Sequence, residues 1–379
     1  MKNKEYDFLI VGAGLFGATF ARLATDAGRK CLVIDRRPHT GGNTHCIDIS
    51  GINVHQYGPH IFHTKNPDVW RFVNKYTTFN RFTLAPIANY KGELYNLPFN
   101  MNTFRQMWHV TTPQEAKAII DRQRYHGTPR NLEEQALDLV GTDIYQKLVK
   151  GYTEKQWGRP CTQLPPGIIK RLPVRYTFDN RYFDDPYQGI PTGGYNPLID
   201  HLLQGCDIKT GCDFFDGPGG NWRHIAKKLV YTGPIDKYYR HRYGRLQYRS
   251  LRFETETLQT PNYQGVAQMN YTDPNTPYTR IIEHKYFQCS GNDIYHNPMT
   301  VITREYPQPY TPDSEPYYPV NDDTNNRLYS LYKALAGKET DFIFGGRLAE
   351  YRYYNMDQTI ASAMRKWSQY QGQDNRHGT

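Results

Sequence analysis

The stretch YDFLIVGAGLFGATFARLATDAGRKCLVIDRRPHTGGN, Tyr6 to Asn43, decides the fold by the spacing of its apolar runs and glycines. Phe8, Leu9, Ile10 and Val11 make a run of strand length that meets Gly12-Ala-Gly14-Leu-Phe-Gly17. Ala18 to Thr25 reads as a helix, and a second apolar run, Cys31 to Ile34, ends on Asp35. A strand, a glycine turn, a helix and a strand closed by an acid form the dinucleotide-binding βαβ unit of a Rossmann-like fold.

The spacing follows from the chemistry of a pyrophosphate. Gly12 makes the tight turn, Gly14 lets the phosphates approach the backbone, and Gly17 lets the helix close on the sheet, so free N–H groups at the helix start face the anion. Asp35 is placed to accept from a ribose hydroxyl. The pair Gly41-Gly42, between Arg36 and Asn43, points to FAD, because FAD enzymes line the ADP half with a second glycine pair and nicotinamide enzymes rarely need one. No second G-x-G-x-x-G follows, so a separate nicotinamide domain is not expected.

Composition bounds the rest. The chain has 379 residues, enough for two or three domains, and its modest hydrophobic fraction of 38% is supplemented by 32 Tyr and 17 Phe. The net charge of +9 is scattered, with no five-residue Lys/Arg run, which fits anionic small substrates and argues against nucleic acid. Six cysteines without a C-x-x-C pair read as free thiols in a reducing compartment. No apolar run reaches membrane-span length and the N-terminus is charged and polar, so neither an export signal nor an anchor is expected and the cytoplasm is the expected location. His60 and His63 lack a third ligand at metal spacing, so no metal site is expected.

Along the chain, Phe79 to Phe99 reads as a hairpin around Lys91-Gly92-Glu93, and Met101 to Tyr152 as helical, with capping boxes at Thr112-Pro-Gln-Glu115 and Asn131-Leu-Glu-Glu134. Prolines and glycine break the stretch from Pro160 to Pro173, which carries Lys170, Arg171 and nearby Arg175 and suits a lid. Strand patterns follow at Lys227–Tyr231, Leu246–Phe253, Gly265–Tyr271 and Thr279–Phe287; then come a helix at Leu328–Ala336, a strand at Asp341–Phe344, the glycine pair before Arg347, and a helix at Asp357–Trp367. The expected fold class is α/β: an FAD-binding Rossmann-like domain (1–100, 215–240 and 335–370), a helical insertion (101–165), and an antiparallel sheet with a lid for substrate (166–214 and 241–334).

Several stretches together resemble the bacterial UDP-galactopyranose mutases: Tyr57-Gly-Pro-His-Ile-Phe-His-Thr64, Lys150-Gly-Tyr-Thr-Glu-Lys-Gln-Trp-Gly158, Lys170-Arg-Leu-Pro-Val-Arg175, Tyr243-Gly-Arg-Leu246, Pro277-Tyr-Thr-Arg-Ile281 with Glu283-His-Lys-Tyr-Phe287, Pro316-Tyr-Tyr-Pro319, and Gly346-Arg-Leu348 with Tyr351-Arg-Tyr353. The resemblance implies a redox-neutral isomerase that interconverts UDP-galactopyranose and UDP-galactofuranose through a sugar adduct at N5 of reduced, non-covalent FAD. It also implies an external reductant, NAD(P)H, and a homodimer. Among the residues, it implies that Arg171 and Arg280 grip the diphosphate and that Tyr182, Tyr318 and Tyr353 donate hydroxyls to it. Tyr152, Thr153, Trp157 and Asn270 match nucleotide-binding positions, with Asn355 at the sugar or diphosphate. His63 matches a histidine beside the flavin; His60 and Ile61 lie along it, and Arg347, Met356 and Asp357 lie near its polar edge. Asn355 stands where many relatives have aspartate, Leu148 and Val149 where phenylalanines are common, and the Leu84 region lacks a frequent asparagine. An N-acetylated or 6-deoxy sugar, or another base, is therefore an alternative substrate, and a flavin oxidoreductase on the same fold is the rival activity.

Overall fold

The computed structural model describes residues 4–169, 173–289 and 291–377. Its first layer is a five-stranded, all-parallel sheet ordered Phe342–Phe344, Ala226–Tyr231, β1 (Tyr6–Val11), β2 (Cys31–Ile34) and Asp207–Lys209. β1 lies at its centre and is covered on both faces, which is why it reads as a continuous apolar run rather than an alternating one. Phe8, Leu9 and Ile10 are fully buried. Helix α1 (Leu15–Asp26) packs between β1, the helix Tyr195–Leu203 and the C-terminal helix Met356–His377.

The second layer is a seven-stranded sheet ordered Tyr318–Pro319, Tyr248–Leu258, Thr300–Pro309, Arg280–Glu283, Gln268–Tyr271, Ile87–Tyr90 and Glu93–Asn96. All its pairings are antiparallel except that of Gln268–Tyr271 with Ile87–Tyr90. Against its edge stands a helical cluster of Met101–Trp108, Pro113–Gln123, Leu132–Ile144 and Gly151–Trp157. Thr112 and Glu115 form the expected capping box. At Asn131 only half of the second one forms: the Asn131 side chain accepts from Glu134 N–H, while the Glu134 carboxylate takes Arg130 N–H instead. No helix among the described residues is long and apolar enough to cross a membrane.

The structure moves several expected boundaries. Asp207–Lys209, expected in the substrate part, is the edge strand of the parallel sheet; it is wholly exposed and has no apolar run to betray it. Backbone pairing holds it, and Tyr6 Oη donates to Asp207 at 2.8 Å. The hairpin around Lys91-Gly92, expected in the cofactor domain, forms as a hairpin but closes the edge of the seven-stranded sheet. The strand expected over Thr279–Phe287 stops at Glu283 and winds into a tight turn at His284–Phe287. Thr300–Pro309, punctuated by two prolines, is a strand that the alternation did not reveal; it pairs with Tyr248–Leu258 from Thr300↔Leu258 to Pro309↔Arg249. The lid stretch forms short turns at Cys161–Gln163 and Pro166–Ile168. Lys170 and Arg171 lie outside the described residues.

An aromatic knot fastens the C-terminal helix. Trp367 sits edge-on to Phe20 at 5.5 Å and to Phe8 at 6.0 Å, and Tyr370 meets Phe8 at 5.0 Å. Trp367→Ala is expected to cost about 3–5 kcal/mol, read as a lower midpoint of urea unfolding. An unchanged midpoint would show that the helix does not depend on this contact.

Candidate active site

The carboxyl ends of β1 and β2 carry a glycine cradle. Gly12 has φ 105°, and a Cβ there would stand 2.0 Å from Thr232 Oγ1; one on Gly17 would stand 1.9 Å from the Gly12 carbonyl. Neither position has room for a side chain, so the turn is tight and the helix closes on it. The N-terminus of α1 has no side-chain cap and no acid in its first turn, so its N–H groups await an anion. The second glycine pair faces the first: a Cβ on Gly42 would lie 3.0 Å from Gly14 Cα, and Gly41 N–H donates to Ala13 O at 2.9 Å. Asp35 is buried and accepts from Ala13 N–H at 2.8 Å and Arg37 N–H at 2.9 Å, which locks the loop on which a ribose would rest. These residues fit the phosphates and ribose of a dinucleotide.

Arg36 turns outward to pair with Glu315. Arg37 meets the same Glu315 carboxylate at 3.1 Å, binds Asn43 Oδ1 at 2.9 Å and lies 4.2 Å over the Tyr57 ring. At the other end of the chain, Gly345 closes on the cradle, since a Cβ there would stand 1.9 Å from the Phe16 ring. Arg347 donates to the Tyr354 carbonyl at 2.6 Å and lies 4.9 Å from the Tyr353 ring centre. Asp357 is occupied in tying the helix start to Thr64, whose hydroxyl donates to it at 2.9 Å; Met356 packs partly buried against the first core, and Ile61 is buried.

On the seven-stranded sheet lies a buried, charged cluster. Arg280 and Asn270 are cross-strand partners, and Arg280 is likewise opposite Glu305. Arg280 donates to the buried Glu305 carboxylate at 2.8 Å, while its Nε is buried without a partner. Burial opposes that charge, and the carboxylate beside it more than restores it, so the guanidinium is held charged. Tyr152 and Tyr318 act on Arg280 through space, and Tyr318 and Tyr353 stack edge-on at 5.1 Å. Burial raises the phenols of Tyr152, Tyr182 and Tyr318 above their usual range, so all three are neutral donors. Gln268 donates to Asn270 Oδ1 at 2.9 Å, which leaves the Asn270 amide N–H groups for the pocket. Thr153 and Trp157 ride with Tyr152 on Gly151–Trp157, whose start presses on the Thr272 carbonyl. Asn355 begins the C-terminal helix; its side-chain amide makes no hydrogen bond among the described residues. Arg171, expected to be the second arginine, lies outside the described residues. Glu305 was missed, because a lone acid in a proline-broken strand carries no local signal.

His63 is stacked 3.6 Å from Phe183 and its Nδ1 lies 2.5 Å from Asp185 Oδ2. His60 belongs to a buried chain of imidazoles. Its N–H donates to His55 Nδ1 at 3.1 Å, His55 N–H donates to His284 Nδ1 at 3.2 Å, and His284 Nε2 is 2.7 Å from Thr303 Oγ1. A ring nitrogen that accepts bears no proton, so His55 and His284 carry theirs on Nε2. His60 Nδ1 faces the Gly58 carbonyl at 2.7 Å and must donate, which makes its Nε2 an acceptor. Burial, reinforced by the charges of Arg347 and Arg280, lowers His60 to about 4.

The parallel sheet and cradle define a dinucleotide-binding protein, and a family model described as an NAD(P)-binding Rossmann-like domain matches residues 10–76. A second model, described as UDP-galactopyranose mutase, matches residues 147–353 and spans the pocket. The chain is 41% identical over 372 residues to the dTDP-fucopyranose mutase of Escherichia coli, covering 94% of this chain and 96% of that one. It is 39% identical over 372 residues to the "Probable UDP-galactopyranose mutase" of Klebsiella pneumoniae, covering 96% and 94%. A crystal structure of reduced UDP-galactopyranose mutase shares the fold at TM-score 0.73 and 15% identity, over 97% of this chain and 94% of that one. The chain belongs to the UDP-galactopyranose mutase family, a family of isomerases.

The three histidines impose a pH dependence on folding. Burial lowers His55, His60 to about 4 and His284 to about 3, against 6.5 in an unfolded chain. Below that value the unfolded chain takes up protons that the folded one refuses. Stability is therefore full above pH 6.5 and falls towards pH 4, at up to about 1.4 kcal/mol per pH unit for each histidine. Urea midpoints measured across this range are expected to drop; a flat profile would contradict the assigned neutral tautomers.

Proposed function

We propose that the protein interconverts UDP-galactopyranose and UDP-galactofuranose with no net redox change. The observation that carries this reading is Arg280, a buried guanidinium with one carboxylate partner and an unsatisfied Nε, ringed by neutral phenols. Such a set suits a leaving diphosphate, whose charge grows as its bond to the sugar breaks. Amines and alcohols, the substrates of an ordinary flavin oxidase, offer nothing for it to hold.

The glycine cradle would hold FAD non-covalently, and in its reduced form that group would supply a nucleophilic nitrogen for the anomeric carbon. Arg280 takes up charge on the departing nucleotide through the free Nε, and Arg171 is its counterpart from the lid stretch. Tyr152, Tyr182, Tyr318 and Tyr353 donate hydroxyls that follow the phosphates, so the nucleotide stays in place for the return step. Asn270, Thr153 and Trp157 hold the nucleoside. His60 offers an acceptor at Nε2, so a donor hydrogen on cofactor or sugar is oriented without proton release at neutral pH. The reading includes NAD(P)H as the external reductant and a homodimer.

A dTDP-linked 6-deoxyhexose is the second reading. Leu84 is buried, and its carbonyl accepts Tyr182 N–H at 2.8 Å, which sets an apolar side chain beside a substrate tyrosine. The identity with the dTDP-fucopyranose mutase points the same way.

Dithionite-reduced protein incubated with UDP-galactofuranose and, separately, dTDP-fucofuranose tests both. Conversion to the pyranose form without stoichiometric flavin oxidation is expected, and the larger kcat/KM names the substrate; turnover that consumes reducing equivalents would sink both readings. Arg280→Ala is expected to lower kcat/KM by about 10²–10³-fold. Arg280→Lys should fare little better, because a point charge does not reproduce the planar fork. Near-wild-type kcat/KM in both variants would remove Arg280 from the diphosphate grip.

A further inference from the structure

Lys155 lies in the middle of Gly151–Trp157, the helix that carries Tyr152, Thr153 and Trp157. Its ammonium does not reach solvent-side acids. It donates to three backbone carbonyls of one loop: Tyr271 at 2.8 Å, Thr276 at 3.0 Å and Tyr278 at 3.1 Å. That loop joins the strand ending at Tyr271, which bears Asn270, to the strand starting at Arg280. Its own turn is wound by Asp273, which accepts from Asn275 N–H, Thr276 N–H and the Thr276 hydroxyl. Three carbonyls converging on one point repel each other unless a cation with three donors stands between them.

We infer that Lys155 is a positioning residue for nucleotide binding: its ammonium bolts the helix of Tyr152, Thr153 and Trp157 to the loop between Asn270 and Arg280, fixing where the two sets of side chains stand relative to each other. The inference rests on the nucleotide-sugar reading only for the identity of the ligand.

The bolt is sensitive to alkali. Burial lowers Lys155 to about 8, with Asp273 opposing the shift. A neutral amine has two donors and a lone pair, so one carbonyl loses its partner and faces that pair instead. Around Lys155, Glu154 is occupied by Cys161 N–H, and burial raises Tyr271 to about 12 and raises Tyr278 as well, keeping both neutral. On the strand Thr300–Pro309, Arg304 is paired with Glu256 and Glu305 with Arg280. Asp273 is therefore the charge that tunes Lys155.

The test uses FAD-loaded protein and UDP as the probe, with affinity measured by calorimetry from about pH 6.5 to 9.5. Wild-type affinity is expected to fall with a midpoint near pH 8. Asp273→Asn keeps the Oδ1 acceptor but removes the charge, and is expected to move that midpoint to lower pH. Lys155→Met is expected to bind UDP about tenfold more weakly at every pH and to lose the limb. Hydrogen exchange of residues 271–280 in the unliganded protein is followed in parallel, so a chain that does not bind UDP refutes the nucleotide reading while the bolt is still judged. Loss of protection in Lys155→Met supports it. Wild-type protection there, wild-type UDP affinity in that variant, or a limb unmoved by Asp273→Asn overturns it. If Lys155→Met does not fold, the Asp273→Asn profile and wild-type exchange across pH 8 decide.

Discussion

A guanidinium buried against a single carboxylate, with its buried Nε left unbonded, constrains everything near it. Water cannot solvate Arg280 freely, so its charge persists only because Glu305 stands 2.8 Å away. The two sit on neighbouring strands as a direct cross-strand pair, and Asn270 occupies the matching position on the other side. Register therefore sets the chemistry: a slip of one residue in any of the three strands would send one member to the opposite face. The sheet's long pairing between Tyr248–Leu258 and Thr300–Pro309 makes such a slip costly. The unbonded Nε is the feature that a purely structural ion pair would not retain, since a buried donor without a partner destabilises the unliganded chain.

The cofactor end is built by the opposite means, the removal of side chains. Gly14 and Gly42 face each other across van der Waals distance, and Gly345 admits the Phe16 ring where any Cβ would clash. Three segments from far apart in the chain thus meet at the uncapped start of α1. The seven-stranded sheet meets the loop at Gly58, where a Cβ would lie 3.3 Å from Glu305 Oε2. The same carboxylate that neutralises Arg280 therefore also abuts the segment that carries His60. The neighbouring Tyr57 lies under Arg37, next to the glycine cradle.

How much of this was legible in the residues depends on range. The βαβ unit was readable because its signals are local: apolar runs, glycines at fixed spacing and an acid within one stretch. The hairpin at Lys91-Gly92 and the box at Thr112–Glu115 were readable for the same reason. The edge strand Asp207–Lys209 was not, because an exposed edge needs only backbone pairing and selects no side chains. Thr300–Pro309 was hidden by prolines that a strand tolerates where their missing N–H is not needed. Arg280 carries a motif, whereas its partner Glu305, the Asp185 beside His63 and the Asn43 contact of Arg37 come only with tertiary register. The sequence around those partners is ordinary.

The strand Arg280–Glu283 is short for the work placed on it, and ammonium groups hold both of its ends. Ahead of it, Lys155 gathers the carbonyls of Tyr271, Thr276 and Tyr278. Behind it, Lys285 is almost wholly buried and gathers those of Pro261, Ile294 and Asn297. Burial lowers the pKa of both lysines, the mark of a charge kept inside because carbonyl dipoles replace its hydration. Each tie fixes segments outside the strand itself. The segments before and after Arg280–Glu283 are thus held by cations whose hydrogen bonds go only to backbone carbonyls.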